Sequence, residues 1–147
     1  MSLSRPANVR FYFDADIRGL GKLLATIRPD VTYAGDPGGE VHKRVRPACV
    51  VTDPATPDDV WIPRVTEHGW LIVTRDRHIR LRPREIAAVR DYGARLVALT
   101  GPDATSTFNQ LEVVMCRWRD IVRSLDRDGP FIYSATRSTF EPVPLVS

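Results

Sequence analysis

The chain has 147 residues, 43% hydrophobic and 27% charged, enough for one domain with its own core and too few for two ordinary ones. That balance excludes a disordered chain, and apolar runs of four or five residues exclude a spanning helix, which needs roughly 20. The net charge is +3, and of 21 basic residues only Lys22 and Lys43 are lysine; arginine, with a planar fork that matches phosphate, points to a phosphate-rich partner unless coding-DNA composition sets the bias.

In chain order, Val9 to Phe13 is an apolar β-like run that stops on Asp14-Ala15-Asp16. Ile17, Leu20, Leu23, Leu24 and Ile27 have helical spacing, which predicts a helix from Ile17 to Arg28, ended by Pro29. Val31 to Ala34 reads as a short strand. Residues Gly35 to Pro47 are Gly-, Pro- and charge-rich and read as a loop carrying His42, Lys43, Arg44 and Arg46. Ala48 to Thr52 is either a strand or an apolar packing segment, and Asp53-Pro54-Ala55 is a turn.

Thr56-Pro57-Asp58-Asp59 predicts a helix start, with Thr56 as N-cap, Pro57 at the first helical position and acids in the first turn. That helix runs through Pro63, which should strain it, to a stop at Gly69. Trp70 to Thr74 is apolar on successive residues, the mark of a strand buried on both faces. A helix over Arg84 to Asp91, a strand over Arg95 to Leu99 and a long helix over Thr107 to Arg127 follow. Its apolar stripe of Phe108, Leu111, Val114, Met115, Trp118, Ile121, Val122 and Leu125 predicts core packing. Phe131 to Ala135 reads as a final edge strand. Phe140 to Val146 is a Pro-interrupted tail that either covers the body or docks on a partner.

Strands alternating with helices predict an α/β fold, a three-layer α/β/α sandwich around a mostly parallel sheet. A single domain over residues 1–147 is expected, with the long helix, edge strand and tail filling about 105–147. Cys49 and Cys116 lack any CxxC or Cys/His spacing and read as free buried thiols. The opening Met-Ser-Leu-Ser-Arg-Pro has no apolar secretory core, so a cytoplasmic protein is expected.

In a parallel sheet ligands bind outside the carboxyl ends of the strands. Asp14 and Asp16 end one such strand and Asp76 follows another, so the three acids meet if those strands are neighbours. Carboxylates gathered at a crevice suit a divalent cation. Asp58 and Asp59 suit the first turn of a helix without any further role, and Asp58 reaches the same edge if Ala48 to Thr52 feeds that helix. Arg75, Arg77, Arg80, Arg82 and Arg84 surround Asp76 and read as a phosphate-binding rim.

Three patches, Phe11 to Asp16, Thr56 to Pro63, and Gly69 to Ile79 running on through Arg84-Glu85 to Thr100, resemble the PIN domain superfamily, and more closely compact PIN-like proteins similar to VapC-type toxins. The resemblance implies a Mg²⁺- or Mn²⁺-dependent endoribonuclease. Position by position, it gives Asp14 and Asp76 the strand-end metal places and Asp58 the helix place, with Asp16 or Asp59 supporting. On this reading Asp14, Asp58 and Asp76 hold the metal and Asp16 serves the attacking water. Arg75, Arg77 and Arg80 hold RNA phosphates. The partners implied are RNA, a cognate antitoxin protein and a second copy in a homodimer, with no membrane. The tail or the 35–47 loop offers the antitoxin a surface.

Many PIN nucleases carry a further acid after the position of Asp76, where this chain has Arg77, His78, Ile79 and Arg80. That departure supports the alternative of a non-catalytic module binding RNA or protein. Phe13 to Ile17 also resembles the Asp-x-Asp strand end of haloacid dehalogenase-type phosphatases. There Asp14 would be the nucleophile and Thr74 the second motif, but the lysine that family needs after the Thr is missing.

Overall fold

The computed structural model describes residues 3–146. Its main sheet has six strands: β2 (Phe11–Phe13), β3 (Val31–Tyr33), β6 (Leu71–Arg75), β7 (Arg95–Leu99), β8 (Phe131–Ala135) and β9 (Phe140–Pro142), in the order β3-β2-β6-β7-β8-β9. All neighbours pair parallel except β9, which is antiparallel to β8. A second sheet of three short strands, β1 (Arg5–Pro6), β5 (Arg44–Arg46) and β4 (Gly39–Val41), stands beside it. The helices are α1 (Arg18–Ala25), α2 (Asp58–Glu67), α3 (Pro83–Tyr92) and α4 (Thr107–Ser124), with single 3₁₀ turns at Ala15–Ile17 and Ile79–Leu81.

The period of two along each strand sends alternate side chains to opposite faces, and a core forms on each. Tyr12, Ile72, Leu96 and Ile132 pack with Trp61, Val65 and Val89 from α2 and α3. Phe11, Phe13, Leu71, Val73 and Val97 pack with Leu20, Val113 and Ile121 from α1 and α4. This is the expected α/β/α sandwich. Burying β2 and β6 on both faces explains why their sequences run apolar without alternation.

Several expectations are corrected. The first strand is Phe11–Phe13, shorter than the apolar run, and α1 closes at Ala25, although Arg28 N–H still bonds Leu24 C=O at 2.9 Å. Ala48 to Thr52 is the packing segment, burying Cys49 and Val51. The 35–47 loop is a hairpin, β4 against β5, turned by His42 and Lys43 at φ of 50° and 59°. Each of those left-handed non-glycine residues costs about 1–2 kcal/mol. Thr56 does not cap α2: its hydroxyl donates to Asp53 C=O at 2.6 Å, and Pro57 holds the cap position.

β8 is not the edge, because part of the tail pairs outside it as β9 and buries Val143. On α4, Phe108 and Met115 are exposed. Val113, Val114 and Ile121 make the buried line, and Met115 lies roughly 100° round the helix from Val114. Cys49 is buried, but Cys116, on the same open side of α4, is exposed.

Candidate active site

β2 and β6 are neighbours in register, Phe13 beside Val73, so both chains leave the sheet at one carboxyl edge. Asp14 N–H still bonds Val73 C=O at 3.0 Å, which holds the first acid on the last rung of the ladder. Its carboxylate then turns back to cap the 3₁₀ turn, accepting Ala15 N–H at 2.6 Å. Asp16 sits one residue further, beside β6. Between the two stands Thr74, 2% exposed, whose hydroxyl lies 3.2 Å from Asp14 Oδ2 and 3.2–3.3 Å from both Asp16 oxygens. One hydroxyl proton serves both acids. Arg75 N–H donates to Asp16 Oδ2 at 3.3 Å.

These carboxylates, with Asp58, Asp76, Glu85, Arg75 and Arg82, line a cleft of about 540 Å³. Burial raises the Asp14 carboxyl to about 7, aided by the charges of Asp16 and Asp58 against the Ala15 and Thr74 hydrogen bonds. Asp16, the more exposed of the pair, rises to about 6, again first through burial, with Thr74 and Arg75 N–H pulling the other way. Glu85, in the first turn of α3, rises to about 8 through burial and then the charges of Asp58, Asp76, Asp14 and Asp16. Among the described residues none of these three has a cation within ion-pair distance, so each depends on a proton or an external cation for neutralisation.

The two remaining acids are differently placed. Asp58 accepts from Trp61 Nε1 at 2.9 Å, which anchors its carboxylate to the buried indole below. Asp76 accepts His78 N–H at 2.8 Å and Arg82 Nε at 3.0 Å. Beneath the floor, Tyr12 packs at a tilt against Trp61 and buries a hydroxyl with no hydrogen-bond partner among the described residues.

Of the acids expected from the sequence, the cleft gathers Asp14, Asp16, Asp58 and Asp76. Asp59, about 100° further round α2, is outside that lining and faces an adjoining cavity between α2 and α3, whose wall Asp58 and Glu85 share with the cleft. Of the five arginines expected to form the rim, Arg75 and Arg82 line the cleft, Arg84 borders the adjoining cavity, and Arg77 and Arg80 are exposed outside the lining. Glu85 is the site residue that sequence reasoning missed. Its one signal is a first-turn position behind Pro83 on the helix after Asp76, where the helix dipole alone favours an acid.

The donor set is all oxygen, which suits a hard cation such as Mg²⁺ or Mn²⁺. Among the described residues no three His, Cys, Asp or Glu side chains are gathered closely enough to enclose an ion by themselves. The chemistry of the cleft fits such a cation with water completing its shell, as Mg²⁺ prefers.

No curated protein and no solved structure matches the chain. A family model described as PIN like domain matches residues 10–101, more than half of the chain and a span that holds all five cleft acids. This chain therefore belongs to the PIN-like domain family, whose fold is generally that of a nuclease.

Proposed function

We propose that this protein is a Mg²⁺- or Mn²⁺-dependent endoribonuclease. The observation that supports it best is Thr74 bridging Asp14 and Asp16 at the carboxyl edge, in a cleft where their charges and those of Asp58, Asp76 and Glu85 have too few cations. PIN domains typically work with divalent metals. On this reading Asp14, Asp58 and Asp76 hold the ion, with Glu85 completing the acidic wall in place of the acid missing after Asp76. When bound, the ion neutralises phosphate charge and lowers the pKa of a water.

The chain's own groups do the rest. Thr74 fixes the carboxylate of Asp16, which orients the attacking water and takes its proton. Arg75 lies on the cleft wall to neutralise a substrate phosphate, and Arg77 and Arg80 hold phosphates leading away from it. Asp59, outside the cleft lining, supports the start of α2. Purified protein should cleave single-stranded RNA with Mg²⁺ and stop with EDTA. Unchanged cleavage by Asp14→Asn or Asp76→Asn would refute the site.

A second reading, a PIN-like module that binds RNA or a partner protein without cutting, has its own observation. Arg82 already occupies Asp76, at 3.0 Å. A phosphatase of the haloacid dehalogenase type has less support, because no lysine lines the cleft.

We also propose that the nuclease is the cytoplasmic toxin of a toxin-antitoxin pair, inhibited by a cognate antitoxin and assembled as a homodimer. A small gene immediately beside this one whose product abolishes cleavage would support that assignment. Sedimentation of the purified chain tests the dimer.

A further inference from the structure

At the opposite, amino edge of the main sheet lies a second cavity, also of about 540 Å³, lined by Arg10, Arg28, His42 and Arg44 with Asp30 as its one acid. Arg10 and Asp14 flank β2, four residues apart, so the two sites are separated by about 13 Å along the strand direction. Asp30 binds both guanidinium groups in its vicinity. It accepts from Arg10 Nη2 and from Arg28 Nη2, each at 2.8 Å, and from Arg28 Nε at 2.9 Å.

Aromatic faces hold the same two groups: Arg28 lies 4.8 Å over the Trp118 ring and Arg10 lies 5.5 Å from the Phe11 ring. Two arginines are thus pre-oriented by one carboxylate, which offsets only one of their charges. The hairpin tip adds Arg44 and His42, and His42 and Lys43 hold a left-handed turn that costs backbone energy. Along the exposed face of α1, Arg18 and Lys22 stand one turn apart between the acid cleft and this cavity.

We propose that the amino-edge cavity is a second phosphate-binding site, which takes the sugar-phosphate backbone of single-stranded RNA whose other end lies in the acid cleft. It rests on the reading of RNA as the substrate. Arg18, which also donates to Ala34 C=O at 3.1 Å, and Lys22 lie on the helix that joins the two edges, which fits an extended polyanion better than a compact one. Arginine forks fixed in advance match phosphate oxygens at little ordering cost.

The test is binding of a labelled 20-nucleotide RNA to the full chain in EDTA, by fluorescence anisotropy over a salt series. Without metal the cleft acids repel phosphate, so the basic surfaces carry the affinity. Arg44 is exposed, and Arg44→Gln leaves the Asp30 pairings intact. The variant should bind about threefold to tenfold more weakly at low salt, with the slope of log K against log salt shallower by about 0.7 for the lost cation. The double variant Arg10→Gln/Arg28→Gln, confirmed as folded by its melting transition, should lose about twice that slope.

Unchanged affinity and slope in both variants would overturn the proposal. So would displacement of the RNA by micromolar pyrophosphate, which would mark a small-anion pocket, or by oligoglutamate of equal length, which would mark an acidic protein partner. A chain that binds in this way but does not cut RNA with Mg²⁺ refutes the nuclease reading alone. A chain that cuts while both variants keep their full affinity and slope refutes this site alone.

Discussion

Two neighbouring strands treat their carboxylates in opposite ways. β3 is bracketed by Asp30 and Asp36, each locked to arginine: Asp30 to Arg10 and Arg28, Asp36 to Arg46 at 2.5 Å with Thr32 as a further donor. β2 ends in Asp14 and Asp16, which share a hydroxyl and have no cation within ion-pair distance among the described residues. The consequence shows in Asp30 and Asp14. Burial works to raise both, but the Arg28 and Arg10 hydrogen bonds and charges hold Asp30 below its ordinary value, whereas Asp14 rises to about 7. An acid with its own arginine is finished as a structural element. An acid without one is set to take up something from outside.

The comparison breaks most visibly at Asp36, whose side chain is wholly buried against a guanidinium only 6% exposed. Asp36→Ala strands the Arg46 charge, and urea unfolding should show a loss of about 3–5 kcal/mol. In the cleft the same kind of change has the opposite sign for stability. Asp14→Asn removes a carboxylate crowded by like charge, so the metal-free protein should melt no lower than wild type. On the proposed function, RNA cleavage by that variant should fall to the level of wild type in EDTA, because Asp14 is one of the groups that hold the ion. A variant that lost stability and kept activity would place Asp14 with the structural acids.

Titration sharpens the contrast. The ordinary carboxyl value is 3.8 for an aspartate and 4.5 for a glutamate, and in the fold Asp14 stands at about 7, Asp16 at about 6 and Glu85 at about 8. The folded state therefore binds more protons than the unfolded one between about pH 4 and 8, so stability from these groups is full below that window and is lost as pH rises through it. The melting temperature of metal-free protein should decline from pH 5 to 8. Asp30, shifted downward, acts only below that range. Mg²⁺ added at pH 8 should recover the loss by binding the ionised acids. A flat profile without metal would show that the carboxylates are neutralised within the chain.

Much of this was legible from local pattern. The runs at Trp70 to Thr74 and Arg95 to Leu99 announce strands buried on both faces, and the strand-end positions of Asp14 and Asp76 follow from the parallel order. What stayed hidden depends on phase or on distant pairing. One residue of helical phase separates Asp58, in the cleft, from Asp59, outside it. Glu85 was masked by its favourable place near a helix start. The His42-Lys43 turn lacks the Asn-Gly pair that usually marks such a hairpin, and β9 exists only because β8 offers it an edge. Phe108 and Met115 belong to an apolar stripe wider than the surface α4 buries.

The smallest effect tests the one cleft acid that resembles those of β3. Asp76 is held by Arg82, whose side chain is 53% exposed. An ion pair so open to solvent contributes about 0–1 kcal/mol, so Arg82→Gln should leave urea stability almost unchanged. Its effect on metal binding should be larger than its effect on folding, because Arg82 competes for the carboxylate that the nuclease reading assigns to the ion. Isothermal titration with Mn²⁺ should show tighter binding in Arg82→Gln than in wild type. Weaker binding would mean that Arg82 orients Asp76 toward the metal, and the Asp76–Arg82 pair would then be part of the site's support.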